Sequence, residues 1–375
     1  MTPLHRTLPR RAGGLGVDRP FLALILIEVV FGFLMLASAS GPVSWNHFGN
    51  AWQFAGHQLI FGIIPGLMGM AIVSRLDYRR WARWSLPLFV AGIFAMLLVF
   101  VPGIAATYGS ARSWLFVLGV SLQPTEFLKL AFIFYVAALF SSRNVAKPRE
   151  ALGPAGIAFG ATAVLLMLQP DLGSLILFAG LFVSLIIAAG IPMLYVVGSG
   201  LAGILLIYVI VKAAPYRAAR LTVFLHPELD PQGMGYQINQ ALLAIGSGGL
   251  FGLGLGHSRQ KFQYLPQAMN DSIFPVIAEE LGFFFALGLV ALVVAIFFRG
   301  LRIARAARDP FARLTAIGIV SWFTIQAFLN IGGMLSLIPL TGLPLPFVSY
   351  GGSAMVAALL GAGVVLSISR GTERT

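Results

Sequence analysis

Residues 273–298 read IFPVIAEELGFFFALGLVALVVAIFF, and Arg299, Arg302, Arg305 and Arg308 follow directly. A helix over this run, at about 1.5 Å per residue, is longer than the roughly 30 Å hydrocarbon core of a bilayer. The arginines behind it mark its cytoplasmic end, because basic residues collect in short inner loops. Working outward, runs of the same kind fall at about 20–40, 54–74, 85–104, 124–141, 151–169, 173–189, 192–213, 311–335 and 346–368. The reading is an all-α integral membrane protein of about ten transmembrane helices. It comprises a cytoplasmic segment 1–19, a membrane domain 20–368 and a cytoplasmic tail 369–375. Composition agrees: 58% of the residues are hydrophobic and 10% charged, where a soluble domain carries about 25% charge.

The positive-inside rule tests this count. With the N-terminus inside, the inner segments hold Arg6, Arg10, Arg11 and Arg19, then Arg75, Arg79, Arg80 and Arg83, then Arg143, Lys147 and Arg149. The arginines after residue 298, Arg313, Arg370 and Arg374 complete the set. The outer segments hold only Arg112, Arg217, Arg220, Arg259 and Lys261, and Lys129 and Lys212 lie in or at the membrane. A miscounted helix would scramble this alternation. The net charge of +12 is thus divided among short loops and forms no stripe for nucleic acid. The first apolar run is too long for a signal-peptide core, so it reads as an uncleaved helix. The chain has no cysteine, which removes disulfides and thiolate ligands.

One connection is long, the outer segment 214–272 between the seventh and eighth helices. It is rich in proline and contains the glycine run Gly246–Gly256. Segments of this length tend to be functional, and its glycines suggest re-entrant or tightly packed backbone. Acids are scarce, and Glu28, Glu126, Asp171, Glu228, Asp230, Asp271, Glu279 and Glu280 lie in the membrane or beyond its outer side. A carboxylate inside a bilayer costs about 2.5–3.5 kcal/mol unless paired or wetted, so the group implies a polar cavity opening outward. Glu126 and Lys129, spaced i,i+3, share a helix face. They form either a structural ion pair or a ligand-facing lysine with its orienting acid. Asp171 is either a cap for the sixth helix or a site residue. Asp271, where the long segment meets the eighth helix, is either an N-cap or a catalytic acid; Pro275 complicates the cap. At 100° per residue Glu279 falls about 80° from Asp271 and could share its wall, which leaves Glu280 needing another partner. No Walker A, paired-histidine or G-x-S-x-G pattern is present.

Ordered stretches along nearly the whole chain resemble the SEDS family of peptidoglycan polymerases, typified by FtsW and RodA. They are Met35–Ser40, Ala111–Leu115 with Leu122–Lys129, Leu168–Gly173, Gly235–Gln237, Ala244–Gly249, Gly254–Gly256 and Pro344–Ser353. Tyr216, Arg217, Arg220, Phe224, Pro227 and Asp230, with Ser258–Lys261, resemble the division-type branch. Asp271 aligns with the family's essential aspartate, although Gln267, Met269, Asn270 and Ser272 depart from the usual neighbours. The resemblance implies a glycosyltransferase that joins lipid II units on the outer face, releasing undecaprenyl pyrophosphate. Asp271 would be the base. Lys129, Arg112, Arg259 and Lys261 would face the pyrophosphate, with Glu126 holding Lys129. The matched stretches also place Asp171 and Ser349 at the substrate. It implies no certain cofactor, a divalent ion such as Mg²⁺ being compatible with a pyrophosphate. The implied partners are lipid II, the growing glycan strand, a class B penicillin-binding protein, divisome proteins and membrane lipids. The rival readings are a lipid II flippase, an elongation-type polymerase and a non-catalytic scaffold.

Overall fold

A helix occupies each of the ten apolar runs in the computed structural model, which describes residues 16–101, 105–108, 111–117, 120–142, 148–212, 223–226, 229–230 and 232–373. In chain order the elements are α1 (Arg19–Phe48), α2 (Gln53–Val73), α3 (Arg79–Leu98), β1 (Ala105–Tyr108), β2 (Ala111–Val117) and β3 (Val120–Leu122). Then come α4 (Pro124–Ser142), α5 (Pro148–Leu168), α6 (Leu172–Ala188), α7 (Met193–Lys212), α8 (Met234–Gly248), α9 (Ile273–Ala306), α10 (Pro310–Met334) and α11 (Gly352–Glu373). Among the described residues eight helices, α1–α5 and α9–α11, are long and apolar enough to cross a membrane, and α6 is apolar but shorter, at 17 residues. Helix α2 carries a π turn at Leu59–Ile63 just before Pro65. A proline cannot donate to the carbonyl four residues back, and the wider turn accommodates the missing bond.

Three differences from the sequence reading have plain causes. The segment 214–272 is not irregular throughout, because α8 lies inside it. Its buried residues Ile238, Ala241, Ala244 and Gly248 recur at helical spacing and pack on α9. Between α3 and α4 the chain forms a three-stranded antiparallel sheet in the order β1-β2-β3, with Ala105 opposite Leu115 and Leu115 opposite Leu122. The last helix begins at Gly352, not near 346, because residues 343–351 form a strap that turns at 346–348, where Val348 N and Ser349 N donate to the Leu345 carbonyl and Phe347 takes φ 60°. The segments with Arg143, Lys147, Tyr216, Arg217, Arg220, Pro227 and Glu228 lie outside the described residues.

Contacts between chain-distant residues sort the loops onto two faces. Asp18 caps α1 through Phe21 N at 2.8 Å, pairs with Arg299 at 2.7 Å and donates its own N–H to Ser369 Oγ at 3.0 Å. The ends of α1, α9 and α11 therefore share one face. Ser367 reaches the Leu76 carbonyl on the same face. Ser38, at the other end of α1, meets Glu280 and Lys261 on the opposite face. This is the alternation that the charge pattern predicts. A large apolar core runs through α4, α6, α10 and α11, and a second cluster, including Met35, Leu36, Leu265, Ile273, Ile277 and Val348, lies towards the Ser38 end.

Helix α9 is broken. Gly282 takes φ 79° and ψ −177°, which interrupts the helical ladder inside the membrane span. The glycine run after α8 repairs the gap. Leu253 N and Gly254 N donate to the carbonyls of Glu279 and Glu280 at 2.9 Å each, and Phe283 N donates to Gly249 O at 2.9 Å. Backbone groups in lipid must be satisfied within the protein, so the break and its patch require each other. A Cβ on Gly282 would collide with Gly252 N, and one on Gly252 with the Glu280 carbonyl; both residues also hold positive φ. Gly282→Ala and Gly252→Ala should each cost about 2 kcal/mol or more. The check is thermal unfolding in detergent, with Gly288→Ala, in open space on the same helix, keeping the native midpoint.

Candidate functional site

Asp271 sits in the turn that feeds α9. Gln267 closes that turn through its carbonyl, which accepts Asn270 N at 2.9 Å and Ser272 N at 3.2 Å. Three other elements clamp it. From α8, Gln237 Nε2 donates to Ser272 Oγ at 2.9 Å. From α10, Asn330 Nδ2 donates to the Asp271 carbonyl at 2.7 Å and to the Leu343 carbonyl at 2.8 Å. From the strap, Ser349 Oγ donates to the Asn270 carbonyl at 2.6 Å and Tyr350 N to the Met269 carbonyl at 2.9 Å. Ser349 Oγ also accepts Leu345 N at 2.8 Å, which fixes the strap's own curvature.

The carboxyl group itself is treated differently from the backbone around it. Ser272 holds the N-cap position of α9, without a side-chain cap bond, so Asp271 is not the cap. Oδ1 is buried and accepts no hydrogen bond, and no cation pairs with Asp271 among the described residues. Oδ2 faces Gly342, where even an added Cβ would stay 4.0 Å away. Burial pushes the Asp271 carboxyl up to about 6, against the opposing pull of the Asp271 and Ser272 backbone and the Gln237 amide. A carboxylate near neutrality, held rigidly and without a counter-charge, has the properties of a general base.

Four of the other acids are engaged in structure, whereas Glu28, buried in α1, has no ion pair or hydrogen bond among the described residues. Glu279 accepts Ser258 Oγ at 2.5 Å, Arg259 N at 3.0 Å and Gln260 N at 3.3 Å, so it holds that turn and does not line a wall with Asp271. Glu280 pairs with Lys261 at 2.7 Å and accepts Ser38 Oγ at 2.7 Å. Asp171 caps α6 by accepting Ser174 N at 2.9 Å and Ser174 Oγ at 2.6 Å. Asp230 caps α8 through Met234 N at 2.9 Å.

The cations sort in the same way. Lys129 is fully buried, 2.7 Å from Glu126 Oε1 and 2.9 Å from Gln326 Oε1, with its ammonium 5.3 Å from the centre of the Trp322 ring. Gln326 Nε2 passes the contact to the Pro344 carbonyl at 2.7 Å. Gln326 and Asn330 lie one turn apart on α10, so the pair and the Asp271 turn grip the same strap. Lys261 is also buried and is bound to Glu280, Ser38 and the Gly256 carbonyl. Lys129 and Lys261 are thus each held by a buried internal acid, Glu126 and Glu280. Arg259 keeps an exposed side chain. Arg112 lies in β2, with its side chain outside the described residues. Asn330, Gln326 and Gln237 escaped the sequence reading because neutral amides carry no charge signal; the i,i+4 spacing of Gln326 and Asn330 on an apolar helix was the available clue. Among the described residues no three His, Asp or Glu side chains gather to hold a metal ion.

Residues 19–374 match the cell cycle protein family that groups FtsW, RodA and SpoVE. The chain is 41% identical over 357 residues to stage V sporulation protein E of Bacillus subtilis, covering 94% of this chain and 97% of that one. It is 36% identical over 363 residues to the probable peptidoglycan glycosyltransferase FtsW of Trichlorobacter lovleyi, covering 95% and 94%. Among solved structures, a chain from a peptidoglycan synthase complex that coordinates polymerization and crosslinking superposes with a TM-score of 0.80 at 29% identity, over 96% of this chain and 99% of that one. The rod shape determining protein RodA of Thermus thermophilus superposes with a TM-score of 0.69 at 27% identity, over 94% and 97%.

Removing one partner of a buried ion pair strands the other charge, at about 3–5 kcal/mol. Lys129→Met should therefore destabilise strongly, and Glu126→Gln added to it should recover most of the loss. Thermal unfolding of the two single variants and the double variant measures this. A lysine that faces an anionic ligand would instead lose activity at unchanged stability.

Proposed function

The chain belongs to the SEDS family, and from that membership and the geometry around Asp271 we infer that this residue is the general base of its glycosyl transfer. The protein is a peptidoglycan glycosyltransferase. Its substrate in this reading is lipid II, as both donor and acceptor, on the outer side of the cytoplasmic membrane. Asp271 takes the proton from the acceptor hydroxyl while that oxygen attacks the donor's anomeric carbon. The bond from that carbon to the pyrophosphate oxygen breaks, and undecaprenyl pyrophosphate leaves. The single observation that carries the reading is the unpaired, buried Oδ1 of Asp271 on a turn clamped by α8, α10 and the strap.

Positive charge for the leaving group comes from Arg259 and Arg112, acting by electrostatic stabilisation. A divalent ion such as Mg²⁺, if used, would draw on the pyrophosphate oxygens for its ligands. Asp171 and Ser349 act through backbone, as the cap of α6 and the tie between strap and turn. The division-type sequence features support a role beside divisome proteins. Its likeness to a chain of a polymerizing and crosslinking complex supports a class B penicillin-binding protein as partner. The charge pattern supports placing the Asp18 face, with both chain ends, in the cytoplasm.

Purified protein with lipid II should yield glycan ladders, with or without a class B partner, and Asp271→Asn should yield none while unfolding at the native temperature. Ladders from that variant would remove Asp271 as the base. Absence of glycan from both proteins, with labelled lipid II translocated by vesicles, would favour a flippase.

The pH profile is a second check. Asp271 acts as base only when ionised, and its carboxyl sits near 6. The rate should therefore fall about tenfold per unit below that pH, where an unperturbed aspartate would hold its rate to about pH 4.

Orientation is testable because the chain has no cysteine. In intact spheroplasts an impermeant maleimide should label Asn46→Cys and leave Arg305→Cys untouched.

A further inference from the structure

On the face that carries Asp18 and Ser369, a cavity of about 220 Å³ opens between the end of α2, the start of α3 and the end of α11. Arg75, Arg79 and Arg370 line it, with Asp77 as its one acid. Asp77 is engaged, since its Oδ1 accepts Arg79 N at 2.9 Å. The two hydroxyls in the wall are also committed: Ser74 donates to the Ala71 carbonyl and Ser367 to the Leu76 carbonyl. Asp309, near Tyr78, accepts Phe311 N at 3.1 Å.

The arginines are not matched in this way. None of the three forms an ion pair among the described residues. The Arg79 guanidinium lies 5.6 Å from the Tyr78 ring centre, and Arg370 Nε is buried with no acceptor. A buried donor without a partner costs about 1–3 kcal/mol. A loop arginine that only signals topology gains nothing from converging on a cavity, and Arg302 and Arg305 on the same face do not line this one. Three guanidinium groups around one open space match the oxygens of a phosphate, which accepts their planar forks.

We propose that this cavity binds the phosphodiester headgroup of an anionic glycerophospholipid from the leaflet on that face. Its position supports a lipid over a soluble anion. The cavity lies where three helices end, and the adjoining turns of α2 and α3 expose Ile72 and Trp84, apolar surface on which acyl chains can lie. Basic pockets between helices at this depth suit such headgroups. The site lies on the face opposite Asp271 and does not depend on the function assigned there.

Native mass spectrometry of the purified protein, titrated with phosphatidylglycerol or phosphatidylcholine, tests the proposal. Arg75→Gln/Arg79→Gln is the main variant, because both side chains are exposed and their loss should leave the fold intact. Phosphatidylglycerol should bind the native protein in preference to phosphatidylcholine, and this variant should bind it roughly tenfold or more weakly. Arg302→Gln/Arg305→Gln, with the same charge loss outside the cavity, should bind as the native protein does. Equal weakening in both double variants would reduce the effect to net charge and overturn the site. Equal binding of the two lipids would also overturn it. Displacement of phosphatidylglycerol by millimolar inorganic phosphate would assign the cavity to a soluble phosphate and overturn the lipid.

Discussion

The break in α9 at Gly282 is the constraint on which the Asp271 face depends. A gap in a helical ladder inside lipid has no water to fall back on. The backbone from Gly249 to Gly254 supplies the missing partners, and only glycine fits where Gly252 and Gly282 approach. With that patch in place, Glu279 and Glu280 stand in the last turn before the break. Their carbonyls bind the patch, and their carboxylates bind residues 258–261. The break thus anchors the glycine run, the turn that carries Arg259, and the near end of α8. Helix α8 in turn sets Gln237 against Ser272, beside Asp271.

The second organising principle is that charge inside the protein is matched or neutralised. Glu126 has Lys129, Glu280 has Lys261, and Glu279 has three donors from a single turn. Asp271 has backbone support and an unbonded oxygen instead. Glu126 also leaves one oxygen unbonded but has its lysine, so the missing counter-charge is what sets Asp271 apart from the three acids around it, all four of which lie towards the same face; Glu28, buried in α1, also lacks one. The Glu126–Lys129 pair also has a function at a distance. Through Gln326 it grips the carbonyl of Pro344, and through Asn330 the same helix grips Asp271 and Leu343. Two stretches far apart in sequence therefore hold one strap in register with the reactive turn.

Much of this was legible in the chain itself. Apolar runs and alternating arginines yield the membrane architecture and which loops share a face, because bilayer thickness and loop charge act locally. The glycine run and Asp271 stand out for the same reason, as residues out of keeping with their surroundings. Helix α8 was hidden because its buried positions are mostly small, so Gly235, Ala241, Ala244 and Gly248 carry little apolar signal until α9 is there to cover them. For Lys129 the sequence left open an ion pair with Glu126 or a ligand-facing ammonium, since an isolated sequence shows a charge but not what it touches; the structure shows the pair.

The sequence by itself determined the fold class, the topology and the aspartate at the mouth of α9, each set by properties of single residues or short windows. Only the tertiary structure decided which partner each carboxylate meets, which lysines are internal, and that neutral Asn330, Gln326 and Gln237 brace the Asp271 turn and the strap. Those properties belong to residues far apart in the chain, as Ser38 and Glu280 are, 242 positions apart. Hydrogen bonds and ion pairs act over a few ångströms, so they exist only once packing has brought their two ends together.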